Sequence, residues 1–230
     1  MTDPAKATHL PAKRTGSAGL RQYQTSVAAQ KRSALLRAAR KVFLRSGYDR
    51  TTVAAIAASA GISPATFYKH FPGGKAQIFG EVVGVGAETV FPAIEEAAAT
   101  GGQPVDEALR RVAHAYARML VSPQTVGFFR ILIAEAPKLQ ELSEQWRRFG
   151  KERLDRGLRH LLAERSGAGE LAIDDLSSAV QQLIAPLIYA LLWPAFFEPE
   201  WHATDETIAR AVDTTIETFL ARYRPKRRPL

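Results

Sequence analysis

The sequence predicts an all-α protein with a small N-terminal three-helix domain and a larger C-terminal helical domain. Three observations predict it. Apolar residues recur at helical spacing in each periodic segment from Val27 onward, and no run alternates with the period of a strand. The stretch GYDRTTVAAIAASAGISPATFYKHFPGGK, Gly47 to Lys75, carries the punctuation of two short helices joined by a sharp turn. Charge is segregated: up to Lys75 the only acids are Asp3 and Asp49 among 13 Lys and Arg, whereas from Ala76 onward 18 basic residues face 21 acidic ones. A basic head on a slightly acidic body suits attraction to a polyanion.

Residues 1–26 are polar, small and basic, with Pro4, Pro11, Gly16 and Gly19 and no periodicity, and predict a disordered arm. Its Lys6, Lys13, Arg14 and Arg21 form either an electrostatic arm or an inert tail. Val27 to Ser46 predicts the first helix, with Leu35, Leu36, Ala39, Val42 and Phe43 inward and Lys31, Arg32, Arg37, Arg40, Lys41 and Arg45 outward. Gly47 ends it as a residue that tolerates positive φ.

In the second helix Thr51 or Thr52 supplies the N-cap hydroxyl, and Val53, Ile56, Ala57 and Ala60 make one apolar face. Gly61 turns the chain, and Ile62 resumes the apolar pattern. The third helix opens with Ser63 as N-cap and Pro64 at its first position, where a missing N–H costs nothing. Phe67 and Phe71 anchor it. Its other face presents Pro64, Ala65, Thr66 and Lys69, with Tyr68 and His70 at the margins. Small residues let a helix approach base edges closely, while Lys, Tyr, His and Ser can bond phosphate oxygens, so this tip suits DNA.

The fourth helix runs from Lys75 towards Ala99 with a bend at Pro92, and at 1.5 Å per residue spans roughly 37 Å. Beyond it the pattern predicts helices over Val105–Leu120, Gln124–Ala134, Lys138–Arg165, from an Asp174 or Asp175 cap to Trp193, and from Thr204 or Asp205 to Tyr223. The boundaries are a head over 27–80, a body over 81–224 and a basic tail over 225–230.

The run Thr51-Thr52-Val53, Ile56-Ala57, Ala60-Gly61-Ile62-Ser63, Thr66-Phe67-Tyr68, His70-Phe71 and Lys75 resembles the TetR family of bacterial transcriptional regulators at nearly every signature position, over roughly Leu35 to Phe79. One departure stands out: three residues separate Phe71 from Lys75, where the family usually has two. The resemblance implies a helix-turn-helix whose DNA-contacting set is Thr51, Thr52, Ser63, Pro64, Ala65, Thr66, Tyr68, Lys69, His70 and Lys75. It further implies a fourth helix that connects head to body, and a ligand cavity within about residues 104–170. The candidate lining is Tyr116, Met119, Phe128, Phe129, Trp146 and Phe149.

The last two long helices hold more apolar surface than one face requires, and a four-helix bundle formed with a second copy would bury it. The expected interface is Leu183, Leu187, Leu191, Ile208, Val212 and Ile216. A two-fold dimer would read a pseudo-palindromic operator with half-sites about one DNA turn apart, ~34–36 Å, or multiples. The expected partners are therefore operator DNA, a second copy of the chain and an unknown small-molecule effector, and the expected role is a ligand-released repressor.

Composition narrows the alternatives. The chain has no Cys, which excludes disulfides and thiolate chemistry. Histidines at 9, 70, 114, 160 and 202 show no metal-ligand spacing, and no phosphate-cradling or nucleophile–base pattern occurs, so neither catalysis nor a cofactor is expected. The N-terminus lacks an apolar leader, and the mainly apolar Leu183–Phe197 is shorter than the ~20 residues a membrane span needs, so a cytoplasmic protein is expected. Two other readings remain: an architectural DNA-binding protein without an effector, and an all-α enzyme with an incidental helix-turn-helix.

Overall fold

The computed structural model describes residues 16–99, 102–135, 140–198 and 200–225, side chains of 16–26 and Ala87 apart. The head contains α1 (Gly16–Ser46), α2 (Val53–Ser59), α3 (Pro64–His70) and α4 (Gly74–Glu88). The body contains α5 (Phe91–Ala98), α6 (Val105–Leu120), α7 (Pro123–Glu135), α8 (Gln140–Trp146), α9 (Glu152–Gly167), α10 (Leu176–Leu187), α11 (Trp193–Phe197) and α12 (Asp205–Tyr223). Single π turns, Arg147–Lys151 and Ile188–Leu192, join α8 to α9 and α10 to α11. The described residues contain no strand.

The expected arm is corrected in part, because residues 16–26 are helical and continuous with α1. No proline interrupts them, and extending an existing helix adds one hydrogen bond per residue fixed without the cost of a new nucleus. Residues 1–15, which carry most of the expected arm, and 226–230 of the expected tail lie outside the described residues. The expected fourth helix is divided in two. Pro92 has no N–H and its ring crowds the carbonyl of residue 88, so α4 stops at Glu88 and α5 restarts with Pro92 in its first turn. The Thr89 hydroxyl donates to the Gly86 carbonyl at 2.8 Å and closes the exposed end of α4.

Two cores organise the chain. One gathers Val90, Leu109, Leu158, Leu183, Val212, Ile216 and neighbours between α5, α6, α9, α10 and α12. Arg165 is fully buried beside it, donating to the carbonyls of Ala97, Ala99 and Gln103 and pairing with Glu170 at 2.8 Å, which satisfies a charge that burial would otherwise make costly. The other core joins Leu35, Phe43, Tyr48, Ile56, Phe67, Phe71 and Phe79 of the head to Phe128, Leu132 and Leu142 of α7 and α8. The head is therefore not a free module; the body completes its core.

Close packing of α4 against α8 and the first π turn adds to this union. A Cβ on Gly80 would lie 2.5 Å from the Gln145 Cβ, and one on Gly84 would lie 2.9 Å from the Phe149 carbonyl oxygen, so only glycine admits this approach.

Candidate functional site

Local chemistry sets the helix-turn-helix. Thr52 takes the N-cap of α2, its hydroxyl accepting from the Ala55 N–H at 3.1 Å. At the other end the Gly61 N–H donates to Ala58 and the Ile62 N–H to Ala57, with Gly61 at φ +68, a Schellman closure that needs a residue tolerant of the left-handed region. Ser63 then caps α3, accepting from the Thr66 N–H at 3.2 Å, and Pro64 follows inside the first turn. Phe67 and Phe71 are wholly buried. The outer face presents Ser63, Pro64, Ala65, Tyr68 and Lys69 to solvent, with Thr66 and His70 half-buried beside them.

Two residues of the expected DNA-contacting set have other duties. Thr51 is buried and its hydroxyl donates to the Gly47 carbonyl at 2.6 Å, locking the turn between α1 and α2, so it is not available to DNA. The Lys75 ammonium lies 4.2 Å over the Tyr48 ring and donates to the Tyr48 carbonyl at 3.1 Å, which ties this half-buried lysine back to the head. Gly74, at φ +65, begins α4 and the lysine follows it on the first turn. By contrast Lys41, Arg45 and Lys69 are exposed and form no ion pair among the described residues. Free cations on the head can exchange their counterions for phosphates.

The body holds a cavity of about 810 Å³ between α4, α6, α7, the two π turns and their flanking helices. Tyr116, Met119, Phe128, Phe129 and Trp146 all line it. Phe149 does not: it faces two neighbouring grooves, where it packs against Gly80 and Gly84. Sequence reasoning also missed lining residues from outside the 104–170 window. Ile184, Ile188 and Leu192 come from α10 and its π turn, Val82 and Val85 from α4, and Arg40 from α1. Gly150 and Lys151 of one π turn and Ile188 and Leu192 of the other face the same space, so both widened helical turns border the cavity. Pro186 and Pro194 bracket the second, each removing one N–H from the ladder.

Tyr116 is the notable polar wall residue. Burial, with the Asp155 carboxylate second, holds its phenol well above the usual tyrosine range, so it stays a proton donor. Among the described residues its hydroxyl has no hydrogen-bond partner. Asp155 is paired with Lys151 at 2.5 Å. The described residues contain no cluster of His, Asp or Glu able to hold a metal ion.

The expected dimer residues are corrected. Leu183, Leu187, Leu191, Ile208, Val212 and Ile216 are each at most 4% exposed and fill the chain's own core. What the α10–α11 segment turns outward is the opposite face, with Tyr189 77%, Trp193 50% and Phe197 71% exposed, and the rings of Trp193 and Phe197 stacked at 5.5 Å. The helical segment Leu176–Phe197 is long and apolar enough to cross a membrane by length and composition, but its Leu183, Leu187 and Leu191 are packed into the body core.

Two parts of the chain match known protein families. Residues 35–82 match the bacterial regulatory proteins of the tetR family, and residues 107–225 match the C-terminal domain of AefR-like transcriptional repressors. Among solved structures, a TetR-family transcriptional regulator from Mesorhizobium loti superposes with a TM-score of 0.74 at 28% identity, covering 86% of this chain and 98% of that one. The flavonoid-responsive regulator FrrA gives 0.65 at 27% identity, covering 86% and 99%. SmeT, the repressor of a Stenotrophomonas maltophilia multidrug efflux pump, shares the fold, with a TM-score of 0.59 at 21% identity over 85% and 91%. No curated protein matches the sequence.

Proposed function

The chain belongs to the TetR family of bacterial transcriptional regulators, and from that premise we propose that it is a homodimeric repressor that leaves a pseudo-palindromic operator when a small molecule fills its central cavity. One observation carries the reading: α1 and α4, which pack the helix-turn-helix, also supply Arg40, Val82 and Val85 to the cavity wall. A ligand that fits one placement of these helices better than another shifts the heads by that difference in affinity. FrrA, flavonoid-responsive and similar over 86% of this chain, supports an effector of small-molecule size.

In this reading Ser63, Pro64, Ala65, Thr66, Tyr68, Lys69 and His70 meet the DNA, with Thr52 beside them. Pro64 and Ala65 offer few hydrogen bonds, so methyl contacts and DNA shape carry much of the base preference. The outward face of α10 and α11, centred on Tyr189 and Trp193, meets its symmetry mate. Exposed aromatic rings grouped on one face are the kind of surface that marks an interaction site. The working compartment is the cytoplasm, where the operator is.

Selection of bound sequences from a random duplex pool tests the proposal. A two-fold-related consensus with half-sites near one helical turn apart supports it. Equal retention of all duplexes at moderate salt overturns it in favour of an architectural role.

A further inference from the structure

Three cationic side chains reach the central cavity, and two of them are already neutralised: Lys151 by Asp155 at 2.5 Å and Arg118 by Asp205 at 3.1 Å. Arg40 is the exception. Among the described residues it makes no ion pair, hydrogen bond or ring contact. It lies where the cavity meets a second groove of about 510 Å³ between α1 and α4, and it lines both, as do Val82 and Val85. The remaining wall is mostly apolar, with Met119, Phe129, Trp146 and Ile188 prominent. Opposite charges desolvated together attract far more strongly than in water, so an unpaired guanidinium at the edge of an apolar space discriminates ligands by charge.

We infer that the effector is an apolar organic acid, its body in the central cavity and its carboxylate on the Arg40 guanidinium. This rests on the reading of the cavity as the effector site. A neutral ligand of the same shape leaves Arg40 without a partner, and an amine is repelled. Tyr116 is buried apart from a hydroxyl that has no partner among the described residues and lines the same cavity, which suits an acceptor oxygen elsewhere on the ligand. Because Arg40 belongs to α1 while the apolar wall belongs mainly to the body, the acid ties the two together, and the charge that selects the ligand is also the contact that moves the head. The cavity volume, within the ~300–1,000 Å³ of small-molecule sites, admits a ligand of two or three rings.

Calorimetric titration of the full chain with biphenyl-4-carboxylate and its isosteric carboxamide tests the inference. The carboxylate is expected to bind about tenfold more tightly or better. The variant R40Q should abolish that preference while keeping the carboxamide affinity within about twofold, and R40K should retain most of it. Equal affinity of the two probes in the unaltered chain, or a carboxylate preference that survives in R40Q, overturns the assignment of Arg40 and leaves the cavity as a binding site. Failure of both probes and of the neutral apolar dye Nile red to bind overturns it together with the effector reading. Operator selection uses no ligand, so it reports separately on the DNA-binding half.

Discussion

The rings of Phe79 and Phe128 meet edge to face, 5.8 Å between centroids, so a side chain that walls the cavity is also part of the head's core. Phe79 in turn stands edge-on to Phe43 at 5.1 Å and to Tyr48 at 5.2 Å. Phe128→Ala should therefore act on both. It should lower stability by about 3–5 kcal/mol, as loss of a buried ring usually does. It should also change ligand affinity. Chemical denaturation and ligand titration on the same variant check the two effects, and Phe129→Ala, only half-buried at the edge of the same core, should change affinity with the smaller loss of stability.

Lys69 and Lys75 carry the same charge but should give opposite results. Lys69 is exposed and unpaired on α3, so Lys69→Ala should weaken binding to every duplex by a similar factor and reduce the slope of log affinity against log salt by about 0.9. Lys75, half-buried, holds the Tyr48 ring and carbonyl. Lys75→Met should lower the melting temperature, at a cost of about 1–3 kcal/mol for the lost cation–π contact and charged hydrogen bond, with the salt slope unchanged. Binding isotherms at several salt concentrations, with a thermal melt of each variant, separate the two roles.

The two faces of α10 give a similar contrast. Trp193→Glu adds charge to the exposed apolar face and should shift a dimer towards monomer in sedimentation at micromolar concentration while leaving the fold intact. Leu187→Ala removes a side chain 1% exposed in the chain's own core and should cost about 2–5 kcal/mol of stability, with any loss of dimer following only from unfolding. The opposite ranking would place the interface elsewhere.

These contrasts mark where the sequence was readable. The helix-turn-helix was legible almost to the residue because Gly61, Ser63 and Pro64 act locally, through backbone angle, capping and a missing N–H. The break at Pro92 was legible as a bend but not in its extent, which depends on whether neighbouring residues can satisfy the freed groups. Which face of α10 turns inward was not legible. A helix apolar on several sides has one pattern for its own core and a second for exposure, and spacing ranks neither. Arg40 read as one more outward cation on α1, since nothing in its own helix says that α4 and α7 leave a cavity beside it. Phe149 was the converse error: an aromatic in the right segment whose position depends on how closely Gly80 and Gly84 let α4 approach.

Alkaline titration offers a last check on the cavity wall. The Tyr116 phenol is held above the ordinary value of 10.0, first by burial and second by Asp155, so the folded chain keeps a proton that the unfolded chain releases. Above pH 10 the unfolded state binds fewer protons than the folded state. Stability is then fully present below about pH 10 and declines as pH rises through the window between the unfolded and folded pKa values, with a slope of up to about 1.4 kcal/mol per pH unit from this one group. Tyr48, raised by burial and by Glu141, contributes in the same direction. Tyr116→Phe removes one of the two contributions, so denaturant midpoints measured from pH 8 to 11.5 should fall less steeply in the variant. Because the hydroxyl has no partner among the described residues, the variant should match or exceed the unaltered chain in stability at pH 8. A marked loss at pH 8 would mean that the hydroxyl is already engaged and is not free for a ligand.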